Sequence, residues 1–432
     1  MTTTINNEHK KLNVPNKREQ NQTCLDSAER EGLRPKGNVP TLRFPEFQGE
    51  WEELGLSELL DFKNGLNPKP DKFGMGIKFI SVMDILNNAV ITYDCIKASV
   101  DVTEKELADF SVEKGDILFQ RSSETLEDVG RANVYMDDKT AVFGGFVIRG
   151  KKKGEYDPQY FNYLLRSPFA RKRIIPMGAG AQHLNIGQEG LSKVKLHFAN
   201  IEEQKKIGKM LSLLDERIST QNKIIDKLQS LIKGINQRVF MNSGNNYKLG
   251  EICEIRSGYS GSQLLSKKGL KVSRIETISG HKVNMERVGY VAPFESSENY
   301  RLRVGDILFS NINSVEYIGN TAFIDKDYDL YHGMNLLRLT PNHMVVIPFY
   351  LYLLLNTNRI LNRFKAVCNK AVSQASINQT ELGKTVVQIP PINTQEQICE
   401  LYQALYTKLE TESHTKSLFQ NQKQYMLHQM FI

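Results

Sequence analysis

The sequence has no run of 18 or more uninterrupted apolar residues, so no stretch reads as an ordinary membrane-spanning helix. Its opening, MTTTINNEHKKLNV, lacks the apolar core and small-residue cleavage site of a secretory signal. A cytoplasmic protein with no membrane partner is expected. The five cysteines (Cys24, Cys95, Cys253, Cys368, Cys399) never form a Cys-x-x-Cys pair, which leaves neither a thiolate metal motif nor a disulfide framework. No histidines stand at ligand spacing either, so no metal site is expected. Catalytic signatures are equally scarce. Gly383-Lys384-Thr385 ends like a phosphate loop, but the glycine required five positions before Gly383 is Asn378, and the segment precedes a strand. Gly178-Ala179-Gly180 and Pro70-Asp71 read as turns, and Asn67-Pro68 is followed by Lys69 rather than by the Pro-aromatic pair of a methyltransferase tetrapeptide. Acidic excess is also missing. The formal net charge of +7 permits a polyanionic partner without requiring one.

What the chain does have is one unit written twice. GIKFISVMDI from Gly76 returns as GLKVSRIETI from Gly269, and KGDILF around Asp116 returns as VGDILF around Asp306, about 190 residues later. Further on, Val129-Gly130-Arg131 matches Ile318-Gly319-Asn320, and DPQYFNYLL (157–165) matches IPFYLYLLL (347–355). NIGQEGLSKVKLHFANIEEQKKI (185–207) lies over INQTELGKTVVQIPPINTQEQI (377–398). Each copy begins with short β-branched and aromatic runs such as DILF, NVYM, AVFGGFVI and KVKLHF. One helix, opened by Pro158 and continued through QYFNYLLRSPFARKR, is predicted to interrupt them.

Each copy ends in a long helix. Ile207, Leu211, Leu214, Ile218, Gln221, Ile225, Leu228, Ile232, Ile235 and Val239 alternate steps of four and three, a heptad seam with one polar interruption. A poorer seam follows at Ile398, Tyr402, Leu405, Leu409, Glu412, Lys416, Phe419, Lys423, Met426 and Met430. Neither has a partner within its own copy, and the two are expected to pair antiparallel, relating the copies by a pseudo-twofold axis. The fold class expected is α+β: two β-rich domains in tandem repeat, joined by two long helices forming an antiparallel coiled coil. The boundaries read are 1–37 for a polar leader expected to be mobile, 38–200 for the first domain, 201–243 for the central helix, 244–391 for the second domain and 392–432 for the C-terminal helix.

Charge distribution and loop chemistry supply the candidate site. Between Arg149 and Arg173, eight basic residues, including Lys151, Lys152, Lys153, Arg171 and Arg173, stand against Glu155 and Asp157. The matching stretch of the second copy holds Arg338, Arg359, Arg363 and Lys365 and no acid. Such recurrence fits a phosphate backbone touched by both copies, with a solvated helix face as the bland alternative. Groups suited to base edges follow the DILF strands: Gln120, Arg121, Ser122 and Ser123 in copy one, Ser310, Asn311, Ile312 and Asn313 in copy two. A later turn adds Gln182, His183 and Asn185, matched by Gln374, Ala375 or Ser376, and Asn378; Arg274, inside GLKVSRIETI, is a further candidate. Capping or turn hydrogen bonds are the alternative for each. The scaffold phrases repeat while these loops differ, as two readers of different sequences would.

These phrases resemble the specificity (S) subunits of type I restriction-modification enzymes. The resemblance rests on NVPTLRFPEFQGEW at the start of copy one, the doubled GDILF, the Gln-containing turns before LSKVKLHF and LGKTVVQIPP, and the Glu-Gln-x-x-Ile openings (Glu203-Gln204, Glu396-Gln397) of both long helices, and it covers about residues 38–432. It implies that the two β-rich domains are target-recognition domains, each reading one half of a split double-stranded DNA site, with the coiled coil fixing the gap. It also implies two modification subunits that methylate adenine and, in the full enzyme, ATP-driven restriction subunits. S-adenosylmethionine, ATP and magnesium are then expected on those partners and no cofactor on this non-catalytic chain. A coiled-coil scaffold whose β-rich domains bind protein is the alternative class.

Overall fold

The computed structural model describes residues 37–180, 184–240, 244–370 and 374–432. The described residues divide into two compact units: those from 37 to 220 together with 416–432, and those from 221 to 415. Among the described residues no helix is long and apolar enough to cross a membrane.

Both units are built on the same antiparallel sheet. In the first unit the strand order is Leu60–Asn64, Val147–Lys152, Ile117–Gln120, Ala132–Val134; in the second it is Cys253–Ser257, Leu336–Pro341, Ile307–Ser310, Thr321–Phe323. A two-stranded ribbon accompanies each, Glu52–Gly55 with Lys195–Phe198 and Asn245–Lys248 with Val386–Ile389. The doubled GDILF phrase has a physical reason. Gly115 and Gly305 take φ of 96° and 97°, a left-handed conformation that favours glycine, and the next residue closes the turn. Asp116 accepts the Glu113 N–H at 3.0 Å and the Lys152 N–H at 3.0 Å; Asp306 accepts the Arg303 N–H at 2.8 Å and the Thr340 hydroxyl at 2.6 Å. Burial raises the Asp116 carboxyl above its usual value against those hydrogen bonds. The ILF that follows is fully buried in both copies. Gly130 and Gly319 repeat for a similar reason: both have positive φ, and a Cβ there would lie 2.6 Å from Ile174 and 2.7 Å from Phe364, respectively.

Three readings need correction. The single helix expected after Pro158 is two, Pro158–Arg166 and Pro168–Ile174. Pro168 has no N–H to donate and drives Ser167 out of the helical region, so Ser167 is extended and its hydroxyl caps the second helix through the Ala170 N–H. The AVFGGFVI run is likewise two strands, Ala141–Phe143 and Val147–Lys152, separated by a turn at 144–146. At the helix openings the repeated element is Gln-x-x-Ile without the preceding Glu (Gln204 to Ile207, Gln395 to Ile398), so the matching glutamine of the second copy is Gln395 rather than Gln397. Gln204 accepts the Asp157 N–H at 2.9 Å and donates to the Ala199 carbonyl at 2.8 Å. Gln395 does the same with the Ile347 N–H at 2.8 Å and the Pro390 carbonyl at 2.8 Å, whereas Gln397 is exposed.

The long helices are Ile201–Val239 and Ile392–Gln429. In the first unit the start of the central helix lies against the end of the C-terminal one: Ile207, Leu211 and Leu214 are buried with Leu427, Met430 and Phe431, and half-buried Phe419 and Met426 pack on them. In the second unit the end of the central helix meets the start of the other, Ile232 with Ile398 and Tyr402, flanked by Ile235, Val239, Leu405 and Leu409. The pairing is antiparallel. Ile218, Ile225 and Leu228 are half-buried. Three of the polar seam positions, Gln221, Glu412 and Lys423, are partnered: the Gln221 amide donates to the Glu412 carbonyl at 3.2 Å and to its carboxylate, while Lys423 meets Asp215 at 2.6 Å, and Asp215 also accepts the Tyr163 hydroxyl at 2.7 Å. A lysine in the seam is therefore compatible with packing because an acid stands opposite it.

One buried group makes the second unit acid-sensitive. The His332 Nε2–H donates to the Leu336 carbonyl, 3.0 Å away, and burial pushes the imidazole down to about 4. The unfolded chain binds that proton near pH 6.5, so the contribution is complete above pH 6.5 and is lost as pH falls toward 4. Denaturant midpoints of the full chain should decline over that window, and His332→Gln should flatten the decline; an equal slope in the variant would show that other groups set it.

Candidate nucleic-acid interface

Two loops far apart in sequence are zipped together in each unit. Ser122–Ser123 pairs antiparallel with Leu184–Asn185, and Ile312–Asn313 pairs antiparallel with Ala375–Ser376. Arg121 is the node in the first unit: its carbonyl accepts the Ile186 N–H at 2.9 Å, its N–H donates to the Phe146 carbonyl at 2.9 Å, and its guanidinium reaches the Gly145 carbonyl at 3.3 Å. Asn311 holds the matching place, its carbonyl accepting the Ile377 N–H at 2.9 Å. The Ser122 hydroxyl donates to the Asn185 amide oxygen, and Asn313 bonds the Ser310 hydroxyl at 3.1 Å and caps the Ser314 N–H at 2.8 Å. Different polar side chains thus stand on one repeated backbone frame.

Not every candidate belongs to that frame. Gln120 is buried and donates to the Ser122 carbonyl at 2.9 Å, so it shapes the loop from beneath. Asn378 caps the helix Gln379–Gly383 through the Glu381 N–H at 2.8 Å. Gln374 is exposed and Ser376 half-exposed beside it. Gln182 and His183 lie outside the described residues. Arg274 begins the turn Ile275–Ile278, where its Nε lies 3.6 Å from Glu276.

The basic residues divide by partner. Arg149 and Arg338, at matching places on the central strands, are buried, and their guanidinium groups hold backbone carbonyls: Ser111 for the first, Arg301 at 3.1 Å and Asn299 at 3.2 Å for the second. Their recurrence reflects the scaffold. Arg171 donates to the Val129 carbonyl at 2.6 Å and the Glu127 carbonyl at 2.9 Å, and burial pushes it down to about 10. Lys152 bonds the Tyr156 carbonyl at 3.0 Å. Lys151 and Lys153 reach Glu113 and Asp61 at 3.7 and 3.5 Å in exposed pairs, which a polyanion can displace at little cost. Arg173 adds its positive charge to burial in holding His197 below its ordinary value. Arg359 and Arg363 line, with Lys233 and Phe240, a cleft of about 360 Å³, and Arg363 donates to the Val386 carbonyl at 2.8 Å. None of the paired loop residues lines that cleft. Among the described residues no cluster of three or more His, Cys, Asp or Glu could hold a metal ion.

The turn at 144–146 escaped the sequence reading. Its signal was the Gly-Gly pair inside an otherwise apolar run, which interrupts a strand and directs the following side chain outward.

The family model described as type I restriction modification DNA specificity domain matches residues 48–230 and again 243–418. A protein of Methanocaldococcus jannaschii, provisionally named the type I restriction enzyme MjaX specificity subunit, is 43% identical over 158 residues, spanning 36% of this chain and only 37% of that relative. The type I restriction enzyme MjaVIII specificity subunit of the same organism is 22% identical over 412 residues, covering 88% of this chain and 91% of the relative. The crystal structure of the S subunit of a type I restriction-modification system from M. genitalium has a similar fold, with a TM-score of 0.56 at 17% identity over 91% of this chain and 99% of that one. With one family domain matched in each half of a chain whose two halves repeat a single sheet, the protein belongs to the type I restriction-modification DNA specificity family.

Proposed function

We propose that this chain is the DNA-reading subunit of a type I restriction-modification complex, in which residues 38–200 and 244–391 each read one half of a bipartite site and the paired helices set the unspecified spacer. The observation that carries this reading is the zipped loop pair of each unit, a constant backbone frame bearing Arg121, Ser122 and Asn185 in one copy and Asn311, Asn313 and Ser376 in the other. Arginine suits guanine, asparagine suits adenine, and serine suits either, so the copies are equipped for different half-sites. Lys151, Lys153, Arg173, Arg359 and Arg363 supply the sequence-independent phosphate attraction. Turnover belongs to partners in this reading: two modification subunits bring S-adenosylmethionine and methylate adenine, restriction subunits bring ATP and magnesium, and all act in the cytoplasm.

Methylated-base mapping of host DNA, with and without the gene, tests this directly. One bipartite adenine-methylation motif should vanish when the gene is removed. An unchanged methylome, together with no salt-dependent DNA affinity of the assembled complex, would overturn the reading and favour a scaffold that binds protein.

A further inference from the structure

Phe146 is 68% exposed at the tip of a turn that is otherwise packed shut. A Cβ on Gly144 would lie 2.6 Å from the Phe79 ring, so that position has no room for a side chain, and one on Gly145 would displace the Asn67 amide. Val147 donates to the Gly144 carbonyl at 2.8 Å, Gly65 donates to the Val147 carbonyl at 3.2 Å, and Arg121 donates to the Phe146 carbonyl at 2.9 Å. The backbone is therefore held from several directions while the ring projects into solvent. A phenylalanine so placed forgoes the burial that stabilises its neighbours, and because its backbone is already fixed it loses little freedom on meeting a ligand.

The surroundings select the ligand. The three segments stitched together at Arg121 (121–123, 144–147 and 184–186) contain that one cation and no carboxylate. They carry hydroxyl, amide and guanidinium groups on the same bonded frame as the turn that bears the ring, a combination suited to a polyanion with flat apolar faces. The second unit differs at this point. Val147 pairs with Gln120 and Leu336 with Ser310, so Phe146 corresponds to Asn335, which has φ of 64°. Asparagine tolerates that conformation better than a bulky aromatic does. Met334 precedes it and is 38% exposed.

We propose that Phe146 is an apolar wedge that enters the base stack at the edge of the half-site read by the first domain, a positioning contact with no aromatic counterpart in the second domain. The inference rests on the DNA-reading function above. A ring stacked on a base is tolerant of base identity, so Phe146 orients the duplex rather than reading it, and any preference it imposes comes from the ease of unstacking, greatest at pyrimidine–purine steps.

The test uses the full chain assembled with its modification subunits and duplexes carrying the mapped site, in which the fluorescent adenine analogue aminopurine replaces one base at a time. Wild-type complex should brighten a step at the edge of one half-site. Phe146→Ala should abolish that signal and weaken binding by about tenfold to a hundredfold, the range expected for one stacked base. Phe146→Tyr should restore both, and the salt dependence of binding should stay the same. Bases extruded for methylation should brighten equally in all three proteins. Because the side chain is mostly in water, the thermal midpoint of Phe146→Ala should match wild type. Unchanged brightening in Phe146→Ala overturns the wedge, and so does loss of subunit assembly in that variant, which would make Phe146 a protein contact. Failure of the wild-type complex to distinguish its mapped site from scrambled DNA would instead overturn the reading function itself.

Discussion

Arg43→Ala should remove about 3 to 5 kcal/mol of stability from the first unit, the cost expected when one member of a buried ion pair is deleted. Arg43 forks onto Glu203 through Nε at 2.8 Å and Nη2 at 2.7 Å, and Glu203 has no exposed surface. The glutamate sits in the first turn of the central helix, where its negative charge also suits the helix N-terminus. Without the guanidinium it would remain buried with nothing opposite it. The same segment is tied down nearby: the Leu42 N–H donates to the Gln429 carbonyl at 2.8 Å, and buried Trp51 packs edge-on against Tyr160 and Phe431. Arg43→Lys should recover only part of the loss, since an ammonium cannot form the two-pronged contact. Denaturant titration followed through Trp51 fluorescence, the sole tryptophan of the chain, reports on this unit. A loss below about 1 kcal/mol, the level of an exposed pair, would show that Glu203 finds water or another partner.

Exchanging Tyr247–Pro391 for the corresponding segment of a family member with another specificity should replace one half of the methylated motif and leave the other half unaltered. The exchanged segment carries most of its own core, from Leu249 and Ile252 through Phe309 and Leu339 to Leu382 and Ile389. Its loops at 311–313 and 374–378 travel with it. Each mismatched base pair costs about 1–3 kcal/mol, so several changed pairs in a half-site should abolish methylation of the original motif altogether. Methylome sequencing of a strain carrying the exchange reads the outcome. Simultaneous change of both halves would show that the two domains do not read independently.

What was legible in the sequence was local or periodic. GDILF announces a tight turn and a buried strand because both depend on neighbouring residues, and the seam shows itself through spacing alone, even across Gln221 and Lys423. Pro168 could have been read as a helix break, since its effect on Ser167 is also local. The fate of the cations was not legible: Arg149 is buried because the Ser111 carbonyl arrives from another strand, and half-buried Arg171 is held by the Glu127 and Val129 carbonyls. Charge recurrence could not separate such clamps from groups left facing solvent. The base-edge loops were found individually, but their pairing depends on register between segments some 60 residues apart, which no local signal carries. Phe146 was hidden inside what reads as a core strand, and only the packing of Gly144 and Gly145 turns it outward.

The glutamine locks at the starts of the long helices bear on how such a chain can be rearranged over evolutionary time. Gln204 and Gln395 use the same two main-chain bonds, one to the N–H at the head of a short helix and one to a carbonyl just upstream. Main-chain groups are indifferent to the side chains around them, so a foreign domain ending at either lock encounters the same fastening. A genetic crossover within the Gln-x-x-Ile phrase would deliver a new reader already latched to an old helix, and the two phrases are natural seams for shuffling recognition without redesigning the joint.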